Sequence, residues 1–259
     1  MSAAGTPDWG GVSRFFIPNE DADTVRQALD VLPAKPARPA FVLGSGMLLL
    51  DVLGGCPNAR AAAVDISADQ LALFDELGRA LEESADCAEL RRWFETVRYP
   101  ALRAHYLARG QEYPLEKVWQ AMRGRFAIRF FDSERALEDA RAACRNTTAV
   151  RADMAAWLTD PASEYDFVHL SNIADYLDPA VLPDLFAACR ERRAPVFLVL
   201  TMACADPAAL ERAWKDAGYA VHPASLSLAR QNRALGALKS DRPWLRTGRV
   251  VLLVRAKGA

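Results

Sequence analysis

Four short stretches carry residue types that can do chemistry together. The apolar run Ala40–Leu43 ends in Gly44-Ser45-Gly46, where glycines let backbone N–H groups approach a ligand and a helix start follows. The run Ala61-Ala62-Ala63-Val64 ends in the carboxylate of Asp65, with Ile66 beside it. That carboxylate falls about twenty residues past the glycines, where adenosine-type cofactors offer both ribose hydroxyls. Asp153-Met154 follows a weaker run and offers a carboxylate for an adenine amino group and a thioether for its face. A further strand-like run, from Asp166, ends in Ser171-Asn172-Ile173. Strand-end groups in this order describe an adenosine site at the carboxyl edge of an α/β sheet. NAD is disfavoured, because Leu49 stands where the dinucleotide glycine pattern requires its last glycine.

Several neighbours of these stretches have two readings each. Gln70 suits a ribose or carboxylate contact, and equally suits the cap position opposite Ser67. Asn172 and Tyr176 stand beyond the fourth strand as candidate catalytic groups, against a plain turn former and a packing aromatic. Ser171 orients its neighbours. Phe15-Phe16 with Glu20-Asp21 suit an N-terminal lid or a hydrophobic staple before an acidic helix start. His169, inside a strand, reads as a core histidine before it reads as a base. Arg230-Gln231-Asn232-Arg233, assigned to a late loop, suits a carboxylate or a solvated surface.

The elements that must position these groups alternate between short aliphatic runs and helical stretches, the pattern of parallel βαβ units. Strands are expected at Ala40–Leu43, Ala61–Val64, Asp166–Leu170, Val196–Thr201 and Arg249–Arg255. Weaker ones are expected near Thr147–Arg151 and Tyr219–Val221. Continuous runs suit strands covered on both faces. Helix starts are expected at Ser67, at Asp178-Pro179 and at Asp206-Pro207. The fold class is therefore α/β: a doubly wound, mostly parallel seven-stranded sheet with a helical insertion after its second strand. Residues 1–39 are expected to form an N-terminal helical lid, and 40–259 the α/β domain. The aromatic-rich insertion, about 78–145, is placed over the site, with a plain packing role as its alternative.

Composition bounds the partners. A net charge of −1 gives no field for nucleic acid or an acidic membrane. The longest apolar run, Ala40 to Gly55, is too short and glycine-interrupted to span a bilayer. The five cysteines form no CxxC pair, and with three histidines no metal site is expected. A small-molecule partner and a cytoplasmic location follow as expectations; the sequence does not set an oligomeric state.

Over about residues 38–259 these motifs resemble the class I S-adenosylmethionine (SAM)-dependent methyltransferases, which implies SAM as cofactor. Within that superfamily, Val64–Leu73, Leu170–Leu177 and the early Glu20-Asp21 resemble the SAM:diacylglycerol 3-amino-3-carboxypropyl transferases. The compact azetidine-2-carboxylate synthases are the nearer fit, since this chain has no exposed amphipathic membrane segment. The resemblance implies attack at Cγ of the SAM aminocarboxypropyl chain, releasing methylthioadenosine, most simply by SAM's own α-amine closing a four-membered ring. Asn172 would hold that amine and Tyr176 relay its proton. An ordinary small-molecule methyltransferase, releasing S-adenosylhomocysteine, is the alternative; a SAM-binding protein without turnover is a third.

Overall fold

The computed structural model describes residues 15–18, 20–173, 177–199, 207–233 and 250–256. An N-terminal segment leads into helix α1 (Ala22–Asp30), which is capped by the Asp21 carboxylate accepting from the Asp23 N–H. Strand β1 (Pro39–Val42) and the glycine turn then deliver the chain to α2 (Met47–Leu53). Strand β2 (Ala61–Asp65) runs into α3 (Ala68–Glu83). The insertion comprises α4 (Cys87–Trp93), α5 (Tyr99–Leu107), α6 (Leu115–Gln120) and α7 (Glu134–Arg145). Two five-residue π-helical turns join α4 to α5 and close α6.

The second half alternates more tightly. Strand β3 (Thr147–Arg151) leads to α8 (Met154–Thr159), and β4 (Phe167–Ser171) to α9 (Leu182–Glu191). Strand β5 (Val196–Val199), α10 (Pro207–Asp216), β6 (Tyr219–Val221), α11 (Ser225–Gln231) and β7 (Val250–Arg255) complete the described chain. Two details differ from expectation. Asp178-Pro179 opens a single 3₁₀ turn before α9 rather than the α-helix itself. The stretch expected as a late loop contains α11, which buries Leu228 against the sheet.

The sheet order is β3-β2-β1-β4-β5-β7-β6, parallel except for β7, which runs antiparallel between β5 and β6. From β1 the chain moves outward through β2 and β3, then returns to place β4 and β5 on the other side. The reversal falls between β1 and β4, and the crevice outside their carboxyl ends is where such sheets bind ligands. Side chains alternate strictly between two cores. Phe41, Phe167, Phe197 and Leu252 face α1, α2, α3, the insertion and α11. Ala40, Val168, Leu198 and Leu253 face α8, α9 and α10. Both faces are covered, which is why these strands read as unbroken aliphatic runs.

The insertion is mainly a packing element. Phe94, Trp119, Phe126, Phe130 and Phe131 are buried in the first core. It meets the N-terminal segment where the Phe16 and His105 rings lie 5.6 Å apart and where the Phe126 carbonyl accepts from the Ala22 N–H at 2.9 Å. Among the described residues, no helix is long and apolar enough to cross a membrane.

Candidate functional site

Gly44 and Gly46 both sit at positive φ (51° and 75°), so the turn after β1 doubles back in a conformation that L side chains rarely adopt. The Leu43 carbonyl accepts from the Gly46 N–H at 2.9 Å, and Ser45 is buried with its Oγ accepting from the Met47 N–H at 3.4 Å. The two glycines are required for different reasons. A Cβ on Gly46 would lie 2.5 Å from the buried Phe74 ring, whereas one on Gly44 would meet nothing within 4 Å. Gly44→Ala is therefore expected to cost only left-handed strain, about 1–2 kcal/mol. Gly46→Ala adds overpacking of about 1–3 kcal/mol. Thermal melts of the two variants check this order, and equal losses would refute it.

Asp65 ends β2 beside this turn. Its Oδ1 accepts the Ser67 N–H at 2.8 Å. Burial pushes its carboxyl above the ordinary aspartate value, and hydrogen bonds from the backbone of Ser67, Gly44 and Ile66 only partly offset that. The carboxylate is thus under-compensated and favours further donors. Ile66 next to it is 61% exposed, a large apolar side chain left in solvent at the cleft edge.

The carboxyl end of β4 is irregular. Its pairing with β5 shifts register between His169 and Ser171, and Ser171 has φ of 53°, strained for a residue with a Cβ. Bulges and strained residues of this kind re-aim side chains at sites. Both side chains converge on one buried carboxylate from the N-terminal segment. Glu20 Oε2 accepts from His169 Nε2 at 2.9 Å, and Glu20 Oε1 accepts from the Ser171 hydroxyl. Ser171 Oγ also lies 3.2 Å from Asn172 Oδ1. The His169 ring stacks between Phe41 and Phe197, with centroids 5.0 and 5.5 Å away, and its Nδ1 has no partner. His169 is thus the expected core histidine, but one whose free edge holds a charged residue.

Gln70 is buried, and its N–H donates to Ser67 Oγ at 3.3 Å, as a cap position should. Its side chain does something else: Oε1 accepts the Phe15 N–H at 2.9 Å, and Nε2 donates to the Phe15 and Gly44 carbonyls. One amide group therefore latches the N-terminal segment to the glycine turn. A second fastening holds the same segment from just beyond α11. The Arg233 N–H and Nε donate to Asp21 at 2.9 and 3.2 Å, so the carboxylate that this arginine finds is the chain's own. Gln70→Ala is expected to raise amide exchange and proteolysis around Phe15 at least about tenfold while leaving the sheet protected. Unchanged exchange at Phe15 would show that the latch carries no weight.

Together these groups line one cleft at the switch point: Phe15, Pro18 and Glu20 from the segment, Leu43–Ser45 from the turn, Asp65 from β2, and His169, Ser171 and Asn172 from β4. The segment leaves only about 50 Å³ of it open. Two larger hollows, about 720 and 510 Å³, open at the opposite edge around Ala37 and Arg38. They lie at strand amino ends, where Asp166 accepts from the Ala37 and Arg38 N–H groups, and the switch-point rule places no ligand there.

Of the residues expected at the site, Gly44, Ser45, Asp65, Ser171 and Asn172 line the cleft. Asp153 and Met154 are not among its lining. Asp153 caps α8, accepting the Ala156 N–H at 2.9 Å, and Met154 is buried in the second core. Tyr176 lies outside the described residues. Sequence reasoning left Glu20 as part of a lid or as an acidic helix start and did not join it to His169, 149 positions away. An acidic pair directly after an apolar segment was the one available signal.

The strand order, with β7 antiparallel between β5 and β6, is that of the class I methyltransferase fold. Solved structures similar to this chain include the glycopeptide N-methyltransferase MtfA complexed with S-adenosyl-L-homocysteine. That match has 14% identity over 96% of this chain and 98% of that one, with a TM-score of 0.47. The same enzyme complexed with sinefungin matches at 13% identity over 91% and 92%, TM-score 0.48. The magnesium protoporphyrin IX methyltransferase ChlM from Synechocystis PCC 6803 with bound SAM matches at 14% over 91% and 78%, TM-score 0.46. No protein-family model and no curated protein sequence matches the chain.

Proposed function

We propose that this chain binds SAM in the switch-point cleft and transfers a group from its sulfonium to a small-molecule nucleophile. The charge of the cleft carries the reading. Asp65 and Glu20 line it, and no Lys or Arg does among the described residues. A phosphate-bearing cofactor would meet repulsion there, whereas a sulfonium with an ammonium tail meets complementary charge. Asp65 accepts the ribose hydroxyls, relieving its under-compensated charge, and the Gly44–Gly46 turn and Ser45 let the ligand approach the backbone. Ile66, exposed beside Asp65, is assigned to the adenine. Residues 15–18 with Glu20 and Asp21 act as the lid, latched by Gln70, since a cofactor-sized ligand needs some 300 Å³ or more.

The sulfonium is its own leaving group, so the protein's work is positioning and exclusion of water. Methyl transfer is the primary reading, because it needs only an in-line nucleophile at an unhindered carbon. The Val64–Leu73 and Leu170–Leu177 stretches favour a second reading, displacement at Cγ with release of methylthioadenosine. In that version Asn172 holds the attacking amine and Tyr176 takes its proton. Mass spectrometry of protein incubated with SAM, alone and with a panel of amines, phenols and thiols, separates the two. S-adenosylhomocysteine marks methyl transfer; methylthioadenosine marks Cγ attack. Tight SAM binding without either product would leave a non-catalytic binding protein and sink both.

A further inference from the structure

We propose that the tip of the N-terminal segment, residues 15–17, is an autoinhibitory strap that competes with the sulfonium ligand for the cleft. The inference rests on the SAM reading above and adds the regulation of that site. A cover lies outside its ligand, whereas this tip lies where the ligand must go. One Gln70 amide bonds both Phe15 and the Gly44 carbonyl, which ties the tip to the turn that a cofactor approaches. Phe15, Pro18 and Glu20 leave about 50 Å³ of the cleft, against roughly 300 Å³ or more for a cofactor-sized ligand. Tip and ligand exclude one another.

The segment is fastened unequally along its length. Its root is pinned to three elements. Glu20 Oε2 accepts from His169 Nε2 of β4 at 2.9 Å, and Asp21 accepts from the Arg233 N–H, beyond α11, at 2.9 Å. The Ala22 N–H donates to the Phe126 carbonyl of the insertion, also at 2.9 Å. The root therefore stays in place when the tip moves. Among the described residues, the hydrogen bonds of the tip all go to Gln70, and Phe15 is 39% exposed. The rest of its hold is apolar: Phe16 and Ile17 are buried in the first core, and the Phe16 ring meets His105 edge-on. A single amide latch over two apolar side chains sets a threshold, which the binding energy of a ligand can exceed.

The direction of the effect separates a competitor from a lid that closes over bound SAM. Loosening such a lid weakens binding, because contacts made only in the complex are lost. Loosening a competitor strengthens it, because the apparent Kd is the intrinsic Kd divided by the fraction of chains whose tip is out. The closed tip thus lowers the affinity for SAM, and whatever draws the tip away raises it.

Calorimetric titration and stopped-flow association of SAM with wild type and Phe15→Pro test this. Proline deletes the N–H that Gln70 Oε1 accepts, and the substitution touches no residue assigned to the ligand. Phe15→Pro is expected to bind SAM about three- to tenfold more tightly, most of the gain lying in a faster association rate. Equal or weaker binding by Phe15→Pro, with wild type binding SAM, would overturn the inference alone and make the segment a cover. Failure of both proteins to bind SAM would sink the SAM reading, and this inference with it. Hydrogen exchange of wild type gives a second measurement that needs no variant. Saturating SAM is expected to speed exchange at the Phe15 amide about tenfold or more while the Ala22 amide stays protected. Slower exchange at Phe15 on adding SAM would overturn the inference, since a tip that closes over the ligand gives that result.

Discussion

Asp51→Ala is expected to cost about 3–5 kcal/mol of stability, the largest loss of any single substitution named for this chain. Asp51 sits in α2 with its side chain wholly buried. Its Oδ1 accepts the Arg129 N–H at 2.6 Å, its Oδ2 accepts from Arg129 Nε at 3.2 Å, and the Arg26 guanidinium closes on it from α1. Arg26 also donates to the Ala127 carbonyl, so one carboxylate joins the N-terminal helix, the turn-bearing helix and the stretch of the insertion just before α7. Deleting it strands a nearly buried guanidinium and an inward-facing N–H, and the penalty of those orphans exceeds the net worth of the pair. A melting temperature lower by about 10 °C or more is the expected reading for a domain of this size. A loss under about 1 kcal/mol would mean that the three elements are held by their apolar contacts alone. Asp51→Asn should recover part of the loss, because one amide oxygen still accepts the Arg129 N–H.

The strands were legible because a sheet covered on both faces demands aliphatic side chains at every position. Each expected strand lies within a residue or two of where its described part is found. Helix α11 was not legible. It buries only Ser225 and Leu228 and leaves Leu226 43% exposed, too thin a stripe to show a helical period. The glycine turn and Asp65 were visible because backbone conformation and strand ends impose residue types locally. What joins them was not. The Glu20–His169 pair and the Gln70 latch span 149 and 55 positions, and each member has an ordinary local reading as helix start, core ring or cap residue. The insertion misled in the opposite sense: its aromatics suggested a cover for the site, and most of them fill the core instead. Asp153 likewise satisfies a helix cap, a demand local enough to place an aspartate there with or without a ligand.

Asp65→Ala is expected to weaken SAM about a hundredfold or more, since two hydroxyl hydrogen bonds to a charged acceptor are lost together. The fold should not suffer in proportion. Burial holds the Asp65 carboxyl above its unfolded value, so the folded chain binds its proton more tightly than the unfolded chain does. Between those two values the native state carries the extra proton, and stability contributed by this group falls as pH rises through that window. Removing the carboxylate relieves that term near neutral pH, against the loss of its bond to the Ser67 N–H. Affinity runs the other way with pH: the ionised form accepts the hydroxyls, so SAM binding weakens as pH falls through the raised Asp65 value, earlier than for an exposed aspartate. Titrations across the acid range should show this slope in wild type and a shallower one in Asp65→Ala. A variant that binds SAM as wild type does would remove the ribose role from Asp65. A variant that fails to fold would show that the carboxylate serves the turn before it serves the ligand. A site residue that costs stability when empty is best explained by what it gains when filled, and Asp65 has that signature while Asp51 has the reverse.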